Sequence, residues 1–288
     1  MFSRPFHGLP VATPRFPAQK CRAIFNRRLM PAKSMTLSTV PIEQSATLPT
    51  GISTNQLTRD ISVVIPALNE QENLELLLPL IQDTVAQLKL NAEIIVVDGG
   101  SHDDTQLVAQ KLGARVVEQN ERGYGGALLA GFAAAQAPYL VTMDADLSHP
   151  PKFLKDFWEQ RKEANLLVAS RYVPGGRADM GIGRRILSTI LNRTYGLLLG
   201  INLRDLSSGF RMYQQQVVAE LDLQARDFDV LEEILVKIYV AGGRIREVPF
   251  HYQVRNSGES HAKLIKFGWA YLKTLLRMCR LRYGKRSG

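Results

Sequence analysis

The chain has 288 residues, 45% of them hydrophobic, a formal charge of +9 and two cysteines. That length supports a real core, in one large domain or two small ones. Cys21 and Cys279 lie in opposite terminal segments, which excludes a disulfide framework or a cysteine zinc site and makes a reducing compartment the default.

The charge is unevenly placed. Residues 1–59 hold eight Lys/Arg against one acid, Glu43; residues 263–288 hold eight more and no acid; residues 60–262 are net acidic. A body of that sign argues against a protein that wraps nucleic acid over a broad basic face. Basic ends fit contact with an anionic membrane surface. No apolar run reaches the ~18 residues of a membrane span, and the N-terminus has no compact apolar stretch of a secretory signal. Residues 1–59, rich in Pro, Ser, Thr and Arg, read as a disordered basic extension. They have the composition of an organellar transit peptide; a plain extension, or a start upstream of Met30 or Met35, reads equally from the same residues.

Order is expected from Asp60. Ile61–Ile65 is a short apolar run closed by Pro66, a buried strand. Asn69 is placed to cap a helix that runs to about Leu88. Glu93–Asp98 is a second buried strand, followed by Gly99 and Gly100. Ser101–Thr105 opens a helix through Leu112, and a third strand lies near Ala114–Glu118. Gly123–Gly126 opens an Ala-rich helix through Ala135. Tyr139–Met143 is a fourth strand. Strands alternating with helices at this spacing predict an α/β fold, a mostly parallel sheet with helices on both faces. Further on, Phe153–Ala164 reads as a helix and Leu166–Ser170 as a strand. Residues 173–183 read as a Gly-rich mobile loop. Arg184–Leu199 and Phe228–Ala241 read as helices, and Arg244–His251 as a strand.

Asp144 and Asp146 follow the fourth strand one residue apart. If the strand's alternation continues, both carboxylates project the same way from its carboxyl end, where open α/β sheets bind ligands. Two adjacent anions call for a cation, and oxygen donors without a His or Cys cluster favour Mg²⁺ or Mn²⁺ shared with a phosphate. Asn69-Glu70 and Asp98 end the first two strands, so three polar clusters should meet at one sheet edge. Gly123-Tyr-Gly-Gly126 half-matches a dinucleotide fingerprint but follows the wrong strand and lacks the final glycine. It is read instead as a close backbone approach, through Gly125, to a nucleotide sugar before a helix N-terminus. His102 and His149 lack metal-ligand spacing and read as turn residues.

Four stretches carry a family resemblance: Pro66-Ala-Leu-Asn-Glu70, Val97-Asp-Gly-Gly-Ser-His-Asp-Asp-Thr105, Met143-Asp-Ala-Asp-Leu-Ser-His-Pro-Pro151 and Ser207-Ser-Gly-Phe-Arg211. Together they resemble the motifs of family-2 inverting glycosyltransferases, and within them the dolichol-phosphate (polyprenol-phosphate) mannosyltransferases. The resemblance implies a GT-A fold, a nucleotide-sugar domain on a Rossmann-like sheet, over residues 60–262. It implies that Pro66, Leu68, Glu70 and Asp98 line the base and ribose, with Leu68 where the family often has Tyr. Asp144, Asp146 and Ser148 would hold the metal and the donor's diphosphate. Arg171, Arg184 and Ser188 would grip the acceptor's phosphate, a task for which the planar Arg fork is suited, and Arg255 would touch donor phosphates. The implied partners are a nucleotide-sugar donor, a polyprenyl or dolichyl phosphate acceptor, a membrane surface and a small membrane-spanning subunit. The implied place is cytoplasmic, peripheral at the cytoplasmic face of a membrane. GDP-mannose leads as donor, UDP-glucose is the alternative, and a catalytically silent scaffold relative is a reading of another class.

Residues 263–288 read as a basic amphipathic helix. At about 100° per residue, Lys263, Lys266, Lys273, Arg277 and Arg280 share one third of the wheel, opposite Leu264, Ile265, Phe267, Leu272, Leu275 and Met278. The pattern suits a helix lying in a membrane interface, or one packed on the domain with a solvated basic side.

Overall fold

The computed structural model describes residues 59–252 and 264–283, with Arg184 and residues 264–271 through their backbone alone. Expectations placed on residues 1–58 and on Arg255 fall outside the described residues. A seven-stranded sheet runs through the domain in the order β3-β2-β1-β4-β7-β5-β8. Its members are β1 (Ile61–Ala67), β2 (Ala92–Asp98), β3 (Arg115–Glu118), β4 (Tyr139–Thr142), β5 (Leu166–Ser170), β7 (Arg211–Gln214) and β8 (Ile245–Pro249). All run parallel except β7, which pairs antiparallel with both β4 and β5. This is the expected mostly parallel sheet.

Alternation within the strands decides what covers each face. Ile61, Val63 and Ile65 of β1 point to one core, together with Leu74, Leu77, Leu78 and Ile81 of α1 (Gln71–Gln87) and Val108 of α2 (Thr105–Lys111). Leu154 and Phe157 of α4 (Leu154–Gln160) close that core. Val64, Ile95 and Val97 point to the other, against Leu128 and Phe132 of α3 (Tyr124–Ala134). Tyr195 and Leu199 of α5 (Ile182–Leu199), Ile234 and Leu235 of α7 (Val230–Val240) and Leu275 and Met278 of α8 (Leu264–Tyr283) complete it.

Pro66 is a proline inside a central strand, and the register explains why it is tolerated. The carbonyl of Val64 accepts from Met143 on the β4 side, and that of Ala67 accepts from Gly99 on the β2 side. Pro66 therefore faces the β4 side, where pairing has ended at Val64↔Thr142. The N–H that proline lacks has no ladder partner to lose.

Four expectations are corrected. Asn69 is not the helix cap: α1 begins after Glu70, and Asn69 takes a left-handed φ of 55°. The helix expected over Phe153–Ala164 is a 3₁₀ turn at Pro151–Phe153 followed by a shorter α4. The strand β7 and the short helix α6 (Gln215–Ala219) stand where no element was expected. The Gly-rich stretch 173–183 is anchored midway: β6 (Arg177–Ala178) pairs with β9 (His251–Tyr252) in a second sheet.

Candidate active site

The parallel register Ala67↔Asp98 and Val64↔Thr142 sets the carboxyl ends of β1, β2 and β4 side by side. The segments that follow are stitched to one another. Asn69 N–H donates to Ser101 Oγ at 2.9 Å, Asn69 Oδ1 accepts from His102 N–H at 2.8 Å, and Glu70 N–H donates to Thr105 Oγ1 at 2.9 Å. Asn69 thus joins two loops, and its left-handed backbone turns the chain toward the second. The first and second expected clusters do meet.

Glu70 accepts from Asn73 Nδ2 at 2.6 Å, and Leu68 is 47% exposed at the rim. Asp98 is 1% exposed and is occupied by the protein itself. It accepts from Gly100 N–H, Ser101 N–H, Ser101 Oγ and Gln106 Nε2. Burial opposes its charge, but these hydrogen bonds hold its pKa below the usual carboxylate value. These bonds shape the loop that follows β2.

β4 ends at Thr142, two residues short of Asp144, so strand alternation does not place the carboxylates. A turn does. Leu147 has φ 62°, a left-handed conformation unusual for a branched residue. Such strain is of order 1–3 kcal/mol and concentrates at functional sites. Ser148 N–H donates to Asp146 Oδ1 at 3.1 Å. His149, 3% exposed, accepts Asp144 N–H through Nδ1 at 2.9 Å and stacks on Phe210 with ring centroids 4.7 Å apart. His149 was expected as a turn residue; its ring also fixes the backbone of Asp144. The rings that hold it, Phe210 and Phe250, are 61 and 101 residues away in sequence.

Asp144 is 28% exposed, Asp146 is nearly buried, and Ser148 Oγ is buried with no protein partner. An unpaired buried hydroxyl is costly, and a cation beside it would satisfy the oxygen. Among the described residues no cluster of three His, Cys, Asp or Glu could hold a metal by itself. Two carboxylates and a hydroxyl therefore fit Mg²⁺ or Mn²⁺ that completes its shell with water and substrate phosphate.

Across β7 lies a second polar group. Arg171, just past β5, forms a buried ion pair with Asp205 and donates to Ser207 Oγ at 3.0 Å. Asn192 of α5 donates to Ser207 Oγ at 3.3 Å and to Ser188 Oγ at 3.4 Å. The structure so brings Arg171 and Ser188 into one chain of contacts; Arg184 lies one helical turn before Ser188. Burial works against Arg171's charge, and Asp205 more than restores it, raising its pKa. Glu247 braces the arrangement, accepting Arg204 N–H and Asp205 N–H, each at 2.9 Å, and Ser170 Oγ at 2.7 Å. Thr142 Oγ1 donates to the Gly209 carbonyl at 2.7 Å, tying the Asp144 turn to Ser207–Arg211. Arg211 itself is wholly buried and donates to the carbonyls of Ser208, Leu231 and Leu206.

Gly125 packs tightly against the protein's own backbone. Its N–H donates to the Arg226 carbonyl at 2.7 Å, and a Cβ there would lie 2.8 Å from the Ala225 carbonyl oxygen. Between Gly123 and Gly125, Tyr124 stacks on Phe228 at 4.5 Å and reaches toward Asp144 Oδ1 at 3.5 Å. Burial, then the Asp144 charge, push its phenol pKa well up.

Comparison with known proteins agrees with this geometry. The family described as Glycosyl transferase family 2 matches residues 62–222. A dolichol-phosphate mannosyltransferase of Pyrococcus furiosus is 34% identical over 227 residues, 76% of this chain; the match spans 63% of that relative's length. A polyprenol monophosphomannose synthase of Mycolicibacterium smegmatis is 34% identical over 215 residues, 69% of this chain and 79% of its own. Among solved structures, glucosyl-3-phosphoglycerate synthase from Mycobacterium tuberculosis, crystallised with Mn²⁺, UDP and its product, superposes with a TM-score of 0.61 at 23% identity. The match covers 83% of this chain and 88% of that one. With residues 62–222 matched and a mostly parallel sheet that ends in an Asp-Ala-Asp turn, the chain belongs to glycosyl transferase family 2 and has its GT-A fold.

Proposed function

We propose that this protein transfers a hexose, mannose from GDP-mannose, to a polyprenyl or dolichyl monophosphate with inversion at the anomeric carbon. One observation carries the reading: an Arg-centred polar chain, Arg171–Ser207–Asn192–Ser188, lies on the same sheet edge as the Asp144/Asp146 turn. One group suits an anionic acceptor and the other a metal-bound diphosphate. The names of the P. furiosus and M. smegmatis relatives support the acceptor and the sugar.

The nucleotide lies over the β1 and β2 ends, against Pro66, Leu68, Glu70 and the loop shaped by Asp98. Asp144, Asp146 and Ser148 present oxygens to Mg²⁺ or Mn²⁺. A cation held there supplies charge neutralisation for the departing nucleotide diphosphate. Arg171 and Arg184, with Ser188, hold the acceptor phosphate and aim one oxygen at the anomeric carbon. A bond forms from that oxygen to carbon while the bond to the diphosphate breaks on the opposite face. A phosphate monoester is already ionised at neutral pH, so no side chain need remove a proton. That accounts for a site whose histidine, His149, is spent on structure.

The acceptor is a lipid, and α5 offers a face for its bilayer. Ile182, Ile186, Ile190 and Leu197 are 78, 55, 56 and 83% exposed, on the side of α5 opposite buried Asn192, Tyr195 and Leu199. α5 and α8 contain no acidic residue, and Arg185, Arg193, Lys273 and Arg280 are exposed on them. An exposed apolar face with basic residues on it and beside it suits an anionic membrane surface, at the cytoplasmic face where nucleotide sugars are met. No helix among the described residues is long and apolar enough to cross a membrane.

The test is donor turnover with Mg²⁺ or Mn²⁺, GDP-mannose against UDP-glucose, each with and without a polyprenyl phosphate in detergent. Lipid-dependent release of GDP is expected. Lipid-dependent release of UDP would replace the donor, and no lipid-dependent turnover with either would overturn the acceptor.

A further inference from the structure

The turn Gly123–Gly126 is packed so tightly that side chains are excluded from its glycine positions. Gly123 has φ +96°, and a Cβ on it would lie 2.4 Å from the Arg226 carbonyl oxygen. A Cβ on Gly126 would lie 1.9 Å from the Glu121 carbonyl oxygen. No other residue type fits either position. What the turn delivers is Tyr124.

We propose that Tyr124 is a positioning residue for Asp144, and that the glycine turn together with Gly209 serves to bring phenol and carboxylate together. The proposal rests on the reading of Asp144 as a metal ligand. Two observations carry it. The first is the contact, Tyr124 Oη to Asp144 Oδ1 at 3.5 Å. This is long for an O–H···O bond, normally about 2.7–2.8 Å, so a small movement of the carboxylate completes it. The second is Gly209, from another motif altogether. A Cβ there would sit 2.8 Å from Tyr124 Oη and 3.6 Å from Asp144 Oδ1, a wedge beside the pair. Glycine at 209 leaves the space in which they meet.

The ring is held from behind. Phe228 lies parallel to it, 15° between the planes. The segment that carries Phe228 is fixed on both sides: Glu233 accepts Ala225 N–H at 2.6 Å, and Asp229 accepts from Thr274 of α8. Arg277 of α8 donates to the same Glu233 at 3.0 Å. His149 sets the backbone of Asp144, and Tyr124 sets one of its oxygens. Groups that orient a metal's ligands typically carry 10–100-fold in affinity or activity.

Mn²⁺ binding by the full chain tests this directly, by loss of the free-Mn²⁺ electron paramagnetic resonance signal, with GDP and with UDP as nucleotide probes. Tyr124→Phe keeps the ring and its stack and removes the hydroxyl. It is expected to bind Mn²⁺ roughly 10-fold more weakly, with an altered bound-Mn²⁺ line shape and an unchanged melting temperature. Gly209→Ala is expected to weaken binding in wild type and less so in the Tyr124→Phe background, because the hydroxyl it crowds is gone. If Tyr124→Phe and Gly209→Ala both bind as wild type while Asp144→Asn does not bind, Tyr124 has no positioning role and the metal reading stands. If wild type binds no Mn²⁺, or Asp144→Asn binds as wild type, the metal reading fails and takes this inference with it.

Discussion

Asp205 grips Arg171 with both carboxylate oxygens, Oδ2 accepting from Nε and Oδ1 from Nη2, each at 2.7 Å. Asp205 also accepts Arg171 N–H at 3.0 Å, so backbone and side chain of the arginine are fixed by one partner. Such a fork presets the guanidinium before any anion arrives.

Arg171→Lys keeps the charge and loses the fork. On the proposed mechanism it raises KM for polyprenyl phosphate about 10-fold or more, since one charge-assisted bond is worth about 1.5–3 kcal/mol, while KM for the donor stays put. Steady-state kinetics with each substrate varied in turn check this. A change confined to the donor would move Arg171 to the other side of the reaction. Asp205→Ala is a different experiment: it strands a buried charge and should cost about 3–5 kcal/mol of stability, visible as a lowered melting temperature.

Asp146→Ala is expected to reduce metal-dependent turnover at least about 100-fold, the order set by losing one stabiliser of developing charge. The expected readout of a surviving fold is an unchanged melting temperature, since Asp146 lies in the turn after β4 and outside both apolar cores. Turnover near wild type, with normal dependence on Mn²⁺, would remove this carboxylate from the mechanism.

How much of this was legible beforehand depends on where each signal lives. β1, β2 and β4 are apolar runs cut by Pro or a carboxylate, so their existence and shared edge follow from local sequence. β7 does not: Arg-Met-Tyr-Gln has two apolar residues, and its arginine is held in the interior by three carbonyls, those of Leu206 and Ser208 just before it and of Leu231 on α7. The shorter α4 reflects the 3₁₀ start that Pro151 imposes. At the site, the Asp-Ala-Asp pair was found by spacing, though a left-handed Leu147 rather than strand alternation places it. At Gly125 the sequence signals a close approach without naming the neighbour, and the neighbour within the protein is the Ala225–Arg226 backbone. Tyr124 drew no role and His149 only that of a turn residue, since their partners, Phe228 and Phe210, are far along the chain.

Glu232 predicts a pH dependence of stability. It is 2% exposed, its Oε2 has no hydrogen-bond partner, and burial pushes its pKa up to about 8 against the pull of Arg211. Its folded pKa is therefore raised above the unfolded value. The folded state then binds the extra proton, and stability falls as pH rises from about 4.5 to about 8. Glu232→Gln mimics the neutral acid. It should melt like wild type near pH 5 and higher than wild type at pH 8, by an amount on the order of a few kcal/mol at most. Equal melting temperatures across that range would mean that Glu232 is ionised when folded.

Ile186→Ser with Ile190→Ser removes two exposed side chains from α5. Each is worth about 1.5–3 kcal/mol when fully buried in an apolar phase, so co-sedimentation with vesicles of anionic phospholipid should fall at least about 10-fold. Because both side chains face away from the core, the melting temperature should hold or rise. Undiminished vesicle binding would leave α8 to carry the contact.

The antiparallel strand β7 also has a consequence for how the chain is made. It lies between β4 and β5, pairing Thr142 with Arg211 and Val168 with Arg211, yet it is synthesised after both. As the polypeptide leaves the ribosome, β3, β2, β1 and β4 can assemble first, with the edge of β4 bare. An unpaired sheet edge is a template for misassociation. The gap closes only when β7 inserts and the Arg211 guanidinium finds its three carbonyls, so nascent chains that stall between residues 142 and 211 are the ones most in need of a chaperone.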